Sequence, residues 1–135
     1  MNQEHMNAIL DVALTYGCDL LQRDNKFFPY AATLEKDGSV QRSESIDVDS
    51  SDEDPEKIFE QMCQTLKRDV MEGLYLGYGV GLDVKVKRSP TEDYTKAVHV
   101  YIYHQDGTAF ECYLPYSKAV DGNYAFGQVW GQPVQ

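Results

Sequence analysis

The chain is poor in positive charge. Twelve Lys and Arg stand against 22 Asp and Glu, a formal net charge of -10 at pH 7. Nucleic-acid recognition depends on cations that neutralise phosphates, so no nucleic-acid partner is expected. The only dense basic patch, Lys85-Val86-Lys87-Arg88, is small and closes a strand pattern. Long apolar runs are missing too. Nothing approaches the roughly 20 consecutive apolar residues of a membrane helix, so no membrane partner is expected. Cysteine is scarce: Cys18, Cys63 and Cys112 are far apart, odd in number and outside any CxxC pair. Buried thiols in a reduced, cytoplasmic setting are the expectation. The polar opening from Met1 to Met6 does not resemble a secretory signal.

Catalytic signatures are equally scarce. There is no Gly-x-Ser-x-Gly, no phosphate-cradling loop and no His-Glu-x-x-His. Gly77, Gly79 and Gly81 follow a helix pattern rather than open one, which is the wrong order for a dinucleotide site. Asp47-x-Asp49-x-Ser51 begins like a calcium loop, but its sixth position is Asp52 rather than Gly and its twelfth is Ile58 rather than Glu. His99 and His104 are five apart in one strand pattern and point to opposite faces, while His5 lies on a separate helix. The three cysteines each fall on or beside an apolar stripe, as small buried hydrophobes do. The expectation is a protein that is not an enzyme and holds no metal or cofactor.

What the chain has is acid, and it is concentrated. Glu44, Asp47, Asp49, Asp52, Glu53, Asp54 and Glu56 follow one another with no Lys or Arg among them. Such a block is either a solvated loop or a surface for a basic partner. Asp52, Glu53 and Asp54 have a local reason, because a helix N-terminus favours negative charge. Glu44, Asp47 and Asp49 have none, which makes them the sharper candidates for partner binding.

Length and periodicity give the fold class. One domain over residues 1–135 is long enough to bury a core without staples. Met6, Ile9, Leu10, Ala13, Leu14, Gly17, Leu20 and Leu21 form a helical stripe. Gly17 on that stripe implies close packing against a neighbour. A hairpin turns at Lys36-Asp37-Gly38, and a three-residue loop there sets Leu34 opposite Val40. Asp54-Pro55 opens a second helix, with Ile58, Phe59, Met62, Cys63, Leu66, Val70 and Met71 as its buried stripe and Gly73 as its stop.

The period then becomes two. Tyr78, Val80, Leu82, Val84 and Val86 alternate in one strand, and Val98, Val100 and Ile102 in the next. A three-residue loop at Gln105-Asp106-Gly107 pairs Ile102 with Phe110, Val100 with Cys112 and Val98 with Leu114. Pro115 to Gly122 reads as a loop, and Tyr124 to Trp130 as the last strand. The order α-β-β-α-β-β-β-β predicts an α+β fold: an antiparallel sheet with two helices packed on one face, a two-layer sandwich.

Ten tyrosines make a second candidate surface. The register places Tyr101, Tyr103, Glu111 and Tyr113 with His99 on the face away from the aliphatic residues, with the glycine side of the preceding strand beside them. Tyr favours interfaces because it joins a large contact area to a polar tip.

Phe27-Phe28-Pro29-Tyr30-Ala31-Ala32, followed by Asp37-Gly38, resembles a motif of small bacterial proteins that reads Phe-x-Pro-Phe-Gly or Ala, then a strand and an Asp-Gly turn. The stretch from Gly81-Leu82-Asp83-Val84 through Asp106-Gly107 to Leu114-Pro115-Tyr116 is similar to them too. Tyr30 and Ala31 depart from the commoner Phe and Gly. Some proteins of this kind are immunity proteins that neutralise toxins. The resemblance implies a structural aromatic corner and carries no catalytic residues.

Together these readings give a cytoplasmic binding protein, an immunity protein against a basic toxin domain, acting as a monomer or homodimer. Glu44, Asp47, Asp49, Asp52, Glu53, Tyr101, Tyr103, Glu111 and Tyr113 are its expected partner-binding residues. The alternative is a small-ligand or enzymatic domain with a pocket near Tyr78, Tyr101 and Tyr113.

Overall fold

A computed structural model describes residues 3–24, 29–44, 54–87 and 89–134. The elements are α1 (Gln3–Asp24), β1 (Tyr30–Leu34), β2 (Val40–Glu44), α2 (Pro55–Met71), β3 (Gly77–Val86), β4 (Thr95–His104), β5 (Ala109–Lys118), β6 (Tyr124–Phe126) and β7 (Trp130–Val134). They form an α+β fold around one antiparallel sheet. Its strand order is β2-β1-β3-β4-β5, with β6 and β7 both on the outer edge of β5.

The turn chemistry sets the register. In the β4–β5 hairpin Gly107 has φ 87°, and its N–H donates to the His104 carbonyl at 2.9 Å. The Asp106 carboxylate accepts the Thr108 N–H at 2.9 Å, which pins the turn. Ile102 therefore faces Phe110, Val100 faces Cys112 and Val98 faces Leu114, as expected. The same turn recurs at Asp37-Gly38, setting Leu34 opposite Val40, and again at Asp121-Gly122. That third turn carries β5 on to Lys118, through residues the sequence pattern assigns to a loop.

The two helices do not share a face, contrary to the sequence expectation. Ile9, Ala13, Leu20 and Leu21 of α1 pack on Tyr30, Leu34, Val98, Val100 and Ile102. Ile58, Met62, Leu66 and Val70 of α2 pack on Ala31, Tyr78 and Val80, which alternation places on the other side. The result is three layers, with β1 and β3 buried between the helices. The reason lies in β3. Its glycine side is not a solvent side: a Cβ at Gly79 would lie 2.7 Å from the Ile9 side chain, so the missing side chains admit α1. The glycines therefore lie opposite the tyrosine-bearing face, and Tyr78, Val80 and Leu82 stand beside Tyr103, Tyr101 and His99 instead.

α2 begins as its sequence dictates. The Asp54 side chain accepts the Glu56 N–H at 3.0 Å, and Pro55 occupies the first turn. Gly73, at φ 83°, follows its last turn. Met71, assigned to the buried stripe by spacing, is 73% exposed, although Val70 beside it is buried.

The last strand is longer than expected and interrupted. β6 pairs Phe126 with Tyr116, and β7 pairs Trp130 with Tyr113. Three residues, Gly127 to Val129, thus oppose two, Leu114 and Pro115. This is a β-bulge, with the Gly127 N–H bonded to the Pro115 carbonyl at 2.8 Å. The extra residue inverts the side chains: Tyr124 and Phe126 join the α1 layer, whereas Trp130 joins the α2 layer.

Of the aromatic motif, Pro29 and Tyr30 are fully buried, and the Tyr30 hydroxyl donates to the Ala13 carbonyl at 2.7 Å. The Tyr30 ring thus ties the start of β1 to α1. Phe27 and Phe28 lie outside the described residues.

Candidate functional site

On the α2 side, three cross-strand rows run over β3, β4, β5 and β7. They are Tyr78-Tyr103-Ala109-Val134, Val80-Tyr101-Glu111-Gln132 and Leu82-His99-Tyr113-Trp130. α2 covers the β3 end of these rows, and Tyr101 and Tyr103 lean against its apolar stripe. This face is thus not devoid of aliphatic core, as the sequence implied; the core stops at its β3 side. No described helix or strand lies over the β5 and β7 side.

The row through His99 is a stack of rings. His99 lies 4.6 Å from Tyr113 at an interplanar angle of 14°, and Tyr113 lies 5.3 Å from Trp130 at 20°. Phe59 of α2 closes the inner end, 5.6 Å from His99. Direct cross-strand pairing produces this contact, since aromatic partners on one face approach to stacking distance. The row beyond that of Glu111 holds Tyr78 and Tyr103 at 5.7 Å, with the Lys67 ammonium 5.4 Å from the Tyr103 ring.

Glu111 sits between these rows. One carboxylate oxygen accepts from Gln132 Nε2 at 2.8 Å, and the other lies 3.3 Å from His99 Nε2. Its side chain retains 22% exposure, and that of His99 13%. Burial lowers the His99 pKa, an effect Glu111 partly offsets. His99 is therefore a neutral donor to Glu111 near pH 7. Burial raises the Tyr101 pKa, with Cys63, Tyr103 and the Glu111 charge adding to the effect, and raises that of Tyr113, with Glu111 and Cys112 adding. These tyrosines stay neutral donors beside a fixed carboxylate.

An open cleft of about 420 Å³ adjoins the ring stack at the start of α2. Asp54, Glu56, Lys85, His99 and Tyr113 are among its lining residues. Tyr113 is the only one of the three tyrosines expected around a pocket that lines it; Tyr78 and Tyr101 do not.

The structure brings Tyr101, Tyr103, Glu111 and Tyr113 together on one face, as the sequence predicts. It does not bring Glu44 to them. That residue ends β2, four strand steps from β5, about 19 Å at the usual strand spacing. Asp47, Asp49, Asp52 and Glu53 lie outside the described residues. Phe59, Trp130 and Gln132 were missed. The first reads as plain core, and the other two reach this face only through the bulge, which alternation does not reveal. His99 was placed on the correct face but given no role.

On the opposite face His5 Nδ1 and His104 Nε2 are 3.0 Å apart, joining α1 to the end of β4. Among the described residues no three or more His, Cys, Asp or Glu gather as metal ligands. No described helix is long and apolar enough to cross a membrane. Compared with known protein families, curated proteins and solved structures, the chain matches none.

Proposed function

We propose that the chain is a non-enzymatic protein-binding module, an immunity protein that occupies a basic toxin domain in the cytoplasm. One observation carries this reading: Tyr101, Tyr103, Tyr113 and Trp130 stand half-buried around a fixed carboxylate on a sheet face with no described helix above its outer half. Rigid aromatic rings around a desolvated polar group make the usual anchor of a protein interface. The net charge of -10 supports a basic partner, because it speeds encounter. The resemblance to immunity-type proteins points the same way.

The experiment is co-expression with the product of the adjacent gene, followed by co-purification at low and high salt. Salt-sensitive co-purification is expected. A partner that fails to co-purify at either salt removes the immunity reading. The Glu44, Asp47 and Asp49 contribution is tested by replacing all three with Ser. Folding should be nearly unchanged and association slower, whereas unaltered association reduces the acidic run to a solvated loop.

A second reading has its own observation. His99 and Glu111 form an imidazole–carboxylate pair, and His99 lines the cleft at α2. A small-ligand or enzymatic domain would use that pair as a base. Saturable binding of a small metabolite, abolished by His99→Gln and insensitive to Tyr103→Ala, would favour it over the protein-binding reading.

A further inference from the structure

We propose that Glu111 is the anchor for an arginine side chain of the partner, received between Tyr101 and Tyr113. The proposal rests on the protein-binding reading and specifies the chemistry at its centre. A carboxylate offers about four acceptor sites on its two oxygens. Here each oxygen already has one partner, Gln132 at 2.8 Å and His99 at 3.3 Å. Those contacts fix the plane of the group from two sides, and acceptor capacity remains toward solvent. A planar guanidinium matches a held carboxylate with two parallel hydrogen bonds and stacks on aromatic faces, which an ammonium does less well. The surroundings complete the site. Tyr101 is the direct cross-strand partner of Glu111, and Tyr113 lies two residues along β5 on the same face.

Charge supports a cation. His99 is the titratable side chain in contact with the carboxylate, and burial keeps it neutral at neutral pH. It is faced by Glu111 and Tyr113 from β5 and by Phe59 from α2. Asp54, which caps α2, Glu56 of α2 and Lys85 of β3 line the cleft beside it. Protonation of His99 would give Glu111 an internal counter-ion and displace an incoming arginine. Binding at this site should therefore weaken in acid.

Trp130, the one tryptophan of the chain, is stacked on Tyr113 and reports on the site. Its fluorescence is followed while a short oligo-arginine peptide is added at low salt, with oligo-citrulline as the neutral control. Wild type should bind oligo-arginine saturably and not oligo-citrulline. Glu111→Gln should weaken binding about ten- to hundredfold, the range for a charge-assisted hydrogen bond in a half-buried site. Glu92→Gln, the same charge change on an exposed loop, should stay within about twofold of wild type. His99→Gln removes the titrating contact and should flatten the weakening in acid relative to wild type, whatever its affinity at neutral pH, so it also tests the site if Glu111→Gln unfolds. Equal losses in Glu111→Gln and Glu92→Gln, or equal binding of oligo-citrulline, overturn the anchor and leave a diffuse acidic surface. No binding of oligo-arginine by wild type at low salt overturns both the anchor and the basic-partner reading.

Discussion

Tyr30 and Gly81 face each other across the β1–β3 pair, and the Tyr30 ring fills the space that a side chain at position 81 needs. The ring is fully buried, and its hydroxyl ties the sheet to α1 at the Ala13 carbonyl. A methyl group at position 81 would press into that ring. Gly81→Ala is expected to lower stability by about 1–3 kcal/mol, the range for overpacking a tight core. Urea unfolding checks it, with Gly127→Ala as a comparison at the bulge. A stability loss under about 0.5 kcal/mol would mean that the corner yields easily.

Tyr30→Phe removes only the hydroxyl and leaves the Ala13 carbonyl with its helical partner. The expected cost is about 1 kcal/mol, that of one buried hydrogen bond. Thermal unfolding of the variant measures it. A larger cost would show that the hydroxyl also orders α1.

Stability should fall in alkali. Burial pushes the Cys63 and Cys112 thiols up to about 12 and raises the phenols of Tyr30, Tyr78 and Tyr116 well above their ordinary range. Each group keeps its proton when folded and loses it at about 8.5 to 10 when unfolded. The unfolded state then binds fewer protons, so the stabilisation is complete below those unfolded values and declines as pH rises. The slope is about 1.4 kcal/mol per pH unit for each group titrating only in the unfolded state. Urea midpoints between pH 7 and 11 should fall from about pH 9 upward. A flat profile would contradict the burial of these groups.

His99 should titrate below its ordinary value, and Glu111→Gln should lower it further, because the carboxylate is what raises it against burial. The folded pKa is depressed, so the associated stability is present above about pH 6.5 and is lost as pH falls through the folded value. Histidine ring resonances followed by NMR give both numbers. A His99 pKa that rises in Glu111→Gln would refute the assigned pair.

Removing the Asp54 carboxylate with Ala should cost about 0.5–2 kcal/mol through loss of the α2 cap. Ser at the same position should restore most of it. Guanidinium unfolding distinguishes this capping role from a contribution of the Asp54 charge to partner binding.

Local chemistry made much of this fold legible. The Asp-Gly turns and matching apolar faces gave the pairing of Leu34 with Val40 and of Val100 with Cys112, and Asp54-Pro55 gave the start of α2. The layering was not legible, because Gly77, Gly79 and Gly81 look like an absence of core when they are a seat for Ile9 and Tyr30. At the site, Tyr101, Tyr103, Glu111 and Tyr113 followed from period two alone. Trp130 and Gln132 did not, since nothing local in Gly127-Gln128-Val129 shows that a residue there stands outside the ladder.

That supernumerary residue makes chain length, rather than side-chain identity, the determinant of which groups β7 shows to the outside. Deleting one residue between Phe126 and Trp130 would remove the bulge and leave Trp130 opposite Tyr113, whereas deleting two would join the short strands into one and exchange the two sides of everything beyond it. Gly131 and Pro133 would then stand where Trp130 and Gln132 now support Tyr113 and Glu111, and a surface rich in rings would become a smooth one without a single substitution.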